Sequence, residues 1–173
     1  MAVEKFYELS EKKALMKRIA DLDEVVGGIV DEFDHEFFKD KEIVLALAKR
    51  WGGVLTYCDN KMKKDKEITL AAVKDYGPNI LFADKKFKSD REILLATKPY
   101  LAPALDYADK SFLKDKKIII AAIKQSQIGE TRHVLNRLDK SMQKDKDIVV
   151  PAIKKDGRAL EHADKSFKQD KKI

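Results

Sequence analysis

The chain of 173 residues, 44% of them apolar and 38% charged, suits a single domain and can supply a core. Its net charge of +6 is uneven, because residues 1–39 hold 6 basic and 10 acidic side chains whereas residues 40–173 hold 30 and 20. The single cysteine, Cys58, excludes an intramolecular disulfide, and no apolar run approaches the ~20 residues that cross a bilayer. Because the start also lacks a secretory signal, we expect a soluble, cytoplasmic protein with no membrane partner.

The predicted elements begin with an amphipathic helix of roughly residues 11–26, in which apolar side chains such as Leu15 and Ile19 recur on one face. Ser10 is the expected N-cap, and the pair Gly27-Gly28 is expected to end the helix. Residues 27–39 read as the second half of a repeat whose first half has diverged. Residues 1–39 are therefore predicted to form an N-terminal cap helix and a degenerate half repeat.

A repeated phrase organises the remainder of the chain. Its head, Asp-(Lys/Arg)-x-Ile, recurs with steps of 25, 25, 25, 30 and 25 residues, at Asp40, Asp65, Asp90, Asp115, Asp145 and Asp170. We call the five complete copies units 1 to 5, which span 40–64, 65–89, 90–114, 115–144 and 145–169. Self-similarity at such a period is typical of a solenoid, in which each unit buries its apolar face on its neighbours. Residues 40–173 are thus predicted to form five helical repeats plus the start of a sixth.

Each unit is predicted to be a short helix-turn-helix, which makes the fold an all-α solenoid with a 25-residue period. In unit 2, Asp65 is expected to cap the first helix, Gly77 to end it and Pro78 to begin the second. The first helices are apolar nearly all round, so they should be covered on several sides. Buried positions are predicted at Ile43, Ile68, Ile93, Ile118 and Ile148, faced by Leu55, Ile80, Leu105, Leu135 and Leu160.

Three units depart from the pattern. In unit 3, Pro99 is expected to stop the first helix near Lys98. Unit 4 carries five extra residues within 125–134, which should lengthen the turn or the second helix. In unit 5, Pro151 is compatible with a helix that begins at about Ile148, because proline is accepted in a first turn.

The phrase that runs from Ala104 to Lys124, Ala-Leu-x-x-Ala-Asp-Lys-x-Phe-x-x-Asp-Lys-x-Ile-x-x-Ala-Ala-Ile-Lys, carries a resemblance. It resembles the tandem repeats of the family catalogued as domain of unknown function 4116, over roughly residues 29–173. That resemblance implies an α-helical repeat fold and brings no activity, cofactor or catalytic residue. A second similarity is to the short-helix variant of the leucine-rich repeat, which also alternates a longer and a shorter helix.

The sequence contains no candidate catalytic centre. His35, His133 and His162 fall in different parts of the repeat, and no histidine or cysteine pair has ligand spacing. Cys58 occupies a position that is alanine in three other units, so it is predicted to be a buried, inert thiol. No nucleophile elbow, phosphate-binding loop or dinucleotide fingerprint is present in the sequence. The prediction is a non-enzymatic protein that uses no cofactor and no metal.

A scaffold for protein–protein interaction is the favoured function, because solenoids present extended surfaces. The predicted partner-binding residues lie in the irregular units 3 and 4, which should adjoin: Tyr100, Tyr107, Gln127, Glu130, Thr131, Arg132 and His133. The competing interpretations are that the insertion is neutral and that the two tyrosines fill gaps between helices.

The alternative function is nucleic-acid or other polyanion binding through lysine rows that recur at the repeat spacing. One predicted row comprises Lys41, Lys66, Arg91, Lys116 and Lys146, and a second comprises Lys85, Lys110, Lys140 and Lys165. Against it stand the aspartates beside these rows and the lack of interleaved aromatic residues. Self-association is a further possibility, through an uncapped C-terminal edge formed by Leu160, Ala163, Phe167 and Ile173.

Overall fold

The computed structural model describes residues 9–21 and 34–169, and every regular element in these two ranges is an α-helix or a 3₁₀ helix. The predicted all-α class is therefore confirmed for this part of the chain. The expected helix end at Gly27-Gly28 and the start of a sixth repeat at 170–173 lie outside the described residues.

The cap helix spans Leu9–Asp21, and a 3₁₀ helix at His35–Lys39 precedes unit 1. Every unit then contains three elements, which we call its leading, middle and closing helices. The leading helices are Lys41–Arg50, Lys66–Asp75, Arg91–Ala96, Lys116–Gln125 and Lys146–Lys155. The middle helices are Gly52–Thr56, Gly77–Leu81, Leu101–Ala104, Glu130–Asn136 and Gly157–His162. The closing helices are Asn60–Lys63, Lys85–Ser89, Lys110–Lys114, Met142–Lys144 and Lys165–Gln169.

Each leading helix is capped by the first aspartate of its unit, as predicted for Asp65. The Asp65 side chain accepts hydrogen bonds from the backbone N–H groups of Glu67 and Ile68, at 2.9 and 3.2 Å. These donors have no partner inside the helix, so the carboxylate satisfies them and also favours the positive end of the helix dipole. A second aspartate, Asp84, caps the closing helix through the N–H of Lys86 at 3.0 Å.

The core lies between the leading and middle helices. All five leading-helix isoleucines are inaccessible to solvent, as predicted, and so are Leu55, Ile80 and Leu135, with Leu105 1% exposed. Leu160 is the exception, because it is only partly buried and Ala159 is the fully buried residue of that middle helix. The prediction for Leu160 is therefore wrong by one position.

Neighbouring units are in contact through successive helices. Each middle helix contacts the middle helix of the next unit, from Gly52–Thr56 to Gly157–His162. Leading helices also contact each other from unit 1 to unit 2, from unit 2 to unit 3 and from unit 4 to unit 5. Between units 3 and 4 the middle helix Leu101–Ala104 packs on the leading helix Lys116–Gln125, a kind of contact that also occurs from unit 1 to unit 2 and from unit 4 to unit 5. The core divides within the leading helix of unit 3, since Ile93 belongs to one buried cluster and Leu94 to the other.

Units 3 and 4 depart from the regular pattern, as predicted. The leading helix of unit 3 ends at Ala96, close to the predicted stop, and has only 6 residues where the others have 10. In unit 4 the extra residues form both the loop 126–129 and an α-helix of 7 residues in place of a 3₁₀ helix of 5.

Two helix starts differ from the prediction. Ser10 lies inside the cap helix rather than at its N-cap. The leading helix of unit 5 begins at Lys146, not at about Ile148, because Asp145 caps it as its equivalents do in the other units. Pro151 therefore lies in the second turn, where its missing N–H leaves the carbonyl of Asp147 without the usual helical donor.

Gly52 and Gly77 stand where one unit meets the next. A Cβ atom on Gly77 would lie 2.8 Å from the Cβ of Tyr100, and one on Gly52 would lie 2.8 Å from the Cα of Ala72. Glycine is needed at these positions because the backbone or a rigid side-chain stem of the following unit approaches too closely for any larger residue. The equivalent Gly157 has no atom of the described chain within 4 Å of such a Cβ.

Gly77→Ala should therefore destabilise the protein, by about 1–3 kcal/mol, because unit 3 must move to accept the new methyl group. Gly157→Ala is the matched control at the same repeat position, and it should leave the stability unchanged or slightly raised. Urea unfolding followed by circular dichroism measures both. Equal midpoints for the two variants would contradict the close approach of units 2 and 3.

Candidate binding surfaces

A ladder of ion pairs runs from unit to unit along the leading helices. In units 1 to 4 the first residue of the leading helix pairs with the capping aspartate of the next unit, and the three lysines among these residues also reach the acidic residue two positions after it. Lys66 Nζ lies 2.8 Å from Asp90 and 2.7 Å from Glu92. The same contacts join Lys41 to Asp65 and Glu67 at 2.9 and 3.0 Å, and Lys116 to Asp145 and Asp147 at 2.6 and 2.8 Å. In unit 3, Arg91 pairs with Asp115 at 2.5 Å.

The cap helix makes the equivalent ion pair with unit 1. Lys12 is 9% exposed and pairs with Asp40, at 2.8 Å, and with Glu42. The buried side chains Leu15 and Ile19 belong to the same apolar cluster as Ile43, and the cap helix contacts the leading helix of unit 1. The cap helix thus presents to unit 1 the lysine and the apolar face that a preceding unit would present.

The ladder changes the proton affinity of its members. Hydrogen bonds from Asp90 and Glu92 raise the pKa of Lys66 above its ordinary value. The pKa of Asp90 is lowered, first by Lys66 and then by the N–H groups of Ile93 and Glu92, although partial burial opposes the shift. At Asp65 burial is the largest influence and raises the pKa, but Lys41 and the N–H of Ile68 together lower it further. At these ion pairs, the charged forms of both the lysine and the aspartate are therefore favoured.

The first predicted polyanion row is occupied by this ladder. Its members Lys41, Lys66 and Lys116 each lie between two carboxylates, and Arg91 contacts one. Lys146 has the equivalent position in unit 5, and the aspartate that follows it by one repeat lies outside the described residues. A phosphate would have to displace a carboxylate from each of the four paired cations.

The second predicted row has a different environment. Lys85, Lys110, Lys140 and Lys165 are all exposed, and none of them lies within 4 Å of a carboxylate in the described part of the chain. They occupy one repeat position, at or just before the start of each closing helix. This row remains available to a ligand.

The insertion in unit 4 is held in place by polar contacts. The N–H of Gln127 donates to the Glu130 carboxylate at 2.7 Å, and the N–H of Gly129 donates to Asp156 of unit 5 at 3.2 Å. Ser126 Oγ and Thr131 Oγ1 are 2.6 Å apart, and both side chains are buried. Thr131, a predicted partner-binding residue, therefore serves the packing of the insertion and does not belong to its surface.

The structure separates the predicted partner-binding residues. Tyr100 faces unit 2, where its ring packs edge-on against Tyr76 at a centroid distance of 5.1 Å and its Cβ lies over Gly77. Tyr107 is exposed but follows Asp106, which pairs with Arg137 at the far end of the middle helix Glu130–Asn136. A helix of 7 residues is about 10 Å long, so Tyr107 and the loop 126–129 lie at opposite ends of it.

Near that loop, Gln127 and His133 are exposed and Arg132 and Glu130 are half-buried. The structure adds a residue that the sequence analysis missed. Ile128 is 72% exposed, more than any other large apolar side chain of the described chain. Its signal was present in the sequence, because it is an aliphatic residue in an otherwise polar insertion. The other exposed apolar residues include Leu81 and Phe82 of unit 2.

Within the described residues, the cysteine and the possible metal ligands form no reactive or metal-binding centre. Cys58 is buried, and desolvation raises the pKa of its thiol to about 12, so the reactive thiolate is disfavoured. Within residues 9–21 and 34–169, no three His, Cys, Asp or Glu side chains are placed to hold a metal ion. None of the helices in these ranges is both long and apolar enough to cross a membrane.

The predicted self-association edge is mostly covered. Ala163 and Phe167 are buried among the described residues, and Ile173 lies outside them. The half-buried Leu160 lines an open cleft of about 460 Å³ beside Arg158 and Lys168. Leu160 is thus the member of that edge that the structure leaves partly accessible.

The repeat also matches a known family model. The model described as Domain of unknown function (DUF4116) matches residues 40–77, 65–97 and 131–171, which together cover more than half of the chain. No curated protein and no solved structure matches the sequence.

The ladder predicts how stability depends on pH. A lowered aspartate pKa stabilises the fold above the unfolded value of about 3.9, and this contribution is lost as the pH falls through the folded pKa. A raised lysine pKa stabilises the fold below about 10.4, and this contribution is lost as the pH rises through the folded pKa. Urea midpoints should therefore be flat near neutral pH and fall on both sides.

Asp90→Asn keeps an oxygen for the helix cap but removes the charge, so its acid limb should be shallower than that of the parent. Parent and variant curves that stay parallel below about pH 4 would show that the rung contributes nothing.

Proposed function

Because the chain belongs to the DUF4116 family, for which no activity is described, we propose its function from geometry: a solenoid of helix-turn-helix repeats that acts as a non-enzymatic scaffold for a partner protein. The proposed period is 25 residues, broken once in unit 4.

Three sets of recurring contacts support the solenoid. The middle helices contact one another in an unbroken series through all five units. The ion-pair ladder repeats at four successive junctions between units, with the cap helix supplying a fifth rung. In units 2, 3 and 5 the N–H of the aspartate that caps the closing helix donates to a carbonyl of the previous closing segment, as from Asp84 to Lys63 at 3.1 Å and from Asp109 to Lys88 at 2.8 Å. Equivalent residues thus make equivalent contacts one unit further along.

The exposure of Ile128 is the observation that supports protein binding most directly. It stands in the segment that breaks the repeat, where neither helix periodicity nor the core requires an aliphatic side chain. An apolar side chain surrounded by polar neighbours such as Gln127 and His133 resembles the composition of an interface centre and rim. Its backbone is already fixed by the Gly129 to Asp156 contact, so little ordering is needed on binding.

Polyanion binding is the alternative function, and the ladder argues against its first lysine row. An anion there must compete with two carboxylates at each of three lysines. Self-association beside Leu160, cytoplasmic location and the lack of enzymatic activity remain predictions from the sequence.

Ile128→Ser tests the scaffold proposal without disturbing the packing, because the side chain is exposed. A deletion would be less clean, since Gly129 and Thr131 hold the insertion in place. The tagged parent and variant are used to capture proteins from the organism that encodes the chain, and recovered proteins are quantified by mass spectrometry. At least one protein should be recovered by the parent and lost, by about tenfold, with the variant, as expected for an interface anchor.

Leu81→Ser is the matched control, since Leu81 is also exposed but belongs to the regular unit 2. The control should recover the same proteins as the parent. Equal recovery by all three proteins, each with a native circular dichroism spectrum, would place the binding surface away from the insertion.

A further inference from the structure

The closing helices and their capping aspartates form a continuous strip, which we call the basic edge: residues 59–64, 84–89, 109–114, 139–144 and 164–169. It contains 12 lysines, no arginine and 5 aspartates, for a charge of +7. Of the 36 basic and 30 acidic residues in the chain, 24 and 25 lie elsewhere and nearly cancel. The net positive charge of the protein therefore resides in this strip.

The lysines of the basic edge are mostly free of acidic partners. Within the described residues, only Lys144 lies within 4 Å of a carboxylate, at 3.8 Å from Asp164. Lys86 and Lys168 instead donate to backbone carbonyls, at 3.0 and 3.2 Å. The contrast with the ladder is structural, because there each lysine is held between two carboxylates of the next unit.

Apart from Asp164, which lies 3.8 Å from Lys144, the aspartates of the basic edge form no ion pairs with these lysines in the described residues, and their carboxylates accept backbone hydrogen bonds as helix caps. Asp84 accepts the N–H of Lys86 at 3.0 Å, and Asp109 accepts the N–H of Ser111 at 2.8 Å. Backbone hydrogen bonds also join the strip from unit 1 to unit 3 and from unit 4 to unit 5, because Asp84, Asp109 and Asp164 each donate an N–H to the closing segment of the preceding unit. The ammonium groups therefore stand on a preformed backbone.

We propose that the basic edge binds an extended, acidic segment of a protein, in which aspartate or glutamate carboxylates meet the lysines of successive units. Charge complementarity along a repeated row selects such a partner and speeds its association. This inference goes beyond the insertion surface and does not depend on it.

One feature favours a carboxylate-rich protein over a single-stranded nucleic acid. The aromatic residues of the basic edge, Phe87, Phe112 and Phe167, are buried in the core, so no ring is presented for base stacking.

The test compares two variants with the same change in charge. The edge variant carries Lys85→Gln, Lys110→Gln, Lys140→Gln and Lys165→Gln. The control variant carries Lys49→Gln, Lys74→Gln, Lys124→Gln and Lys154→Gln, which are also exposed but lie near the C-terminal ends of leading helices. Fluorescence anisotropy with a labelled glutamate-rich peptide and with a random-sequence DNA duplex, at low and high salt, gives the affinities.

Losing one exposed ion pair weakens binding by about 1.4- to 5-fold, so the edge variant should bind the peptide at least about fourfold more weakly than the parent. The control variant and Ile128→Ser should bind it as the parent does, and salt should weaken the parent complex. Equal losses in the edge and control variants would overturn the proposal, because binding would then follow net charge alone. DNA binding that depends on the edge while peptide binding does not would overturn it in favour of a nucleic acid.

Discussion

The repeat depends on the first aspartate of each unit, which joins two levels of structure through one carboxylate. Asp90 caps its own leading helix through the N–H groups of Glu92 and Ile93 and also receives Lys66 from the unit before. The cap fixes where the helix begins, and the ion pair joins that helix to the preceding unit. The cap helix follows the same rule, since Lys12 approaches Asp40 as Lys66 approaches Asp90. In the solenoid that we propose, such contacts contribute to stability, because the stability of a repeat array is the sum of its units and of the interfaces between them.

Sequence periodicity predicted the features that depend on one unit alone. The capping aspartates and the buried isoleucines such as Ile118 and Ile148 follow from helix geometry and were correct. Contacts between units were missed, because the partner of Lys66 depends on how two helices stack, which no local pattern contains. The same reason explains Leu160, whose burial depends on a neighbour, and Thr131, whose hydroxyl turns inward to Ser126. Pro151 was misjudged because a tertiary context tolerated it beyond the first turn.

The candidate binding surfaces consist of residues that take no part in the ion-pair ladder. In the ladder, one row of lysines forms ion pairs between units. The positive charge available to a ligand is therefore that of the basic edge, where the aspartates act as helix caps. The insertion takes no part in the ion-pair ladder. It adds the exposed side chain of Ile128 to the surface, while the N–H of Gly129 is hydrogen-bonded to Asp156 of unit 5. The regular repeat positions therefore maintain the fold. The loop 126–129 of unit 4 and the unpaired lysines of the basic edge are the surfaces that we propose bind partners.

The most direct test of the ladder is a double-mutant cycle on Lys66 and Asp90, with Lys66→Gln, Asp90→Asn and their combination compared in urea unfolding. A pair in contact is energetically coupled, so the combined loss of stability should be smaller than the sum of the two single losses. A control cycle that joins Asp90→Asn with Lys74→Gln, whose lysine has no contact with Asp90, should be additive. Additive losses for Lys66 and Asp90 as well would contradict the claim that this ion pair joins one unit to the next.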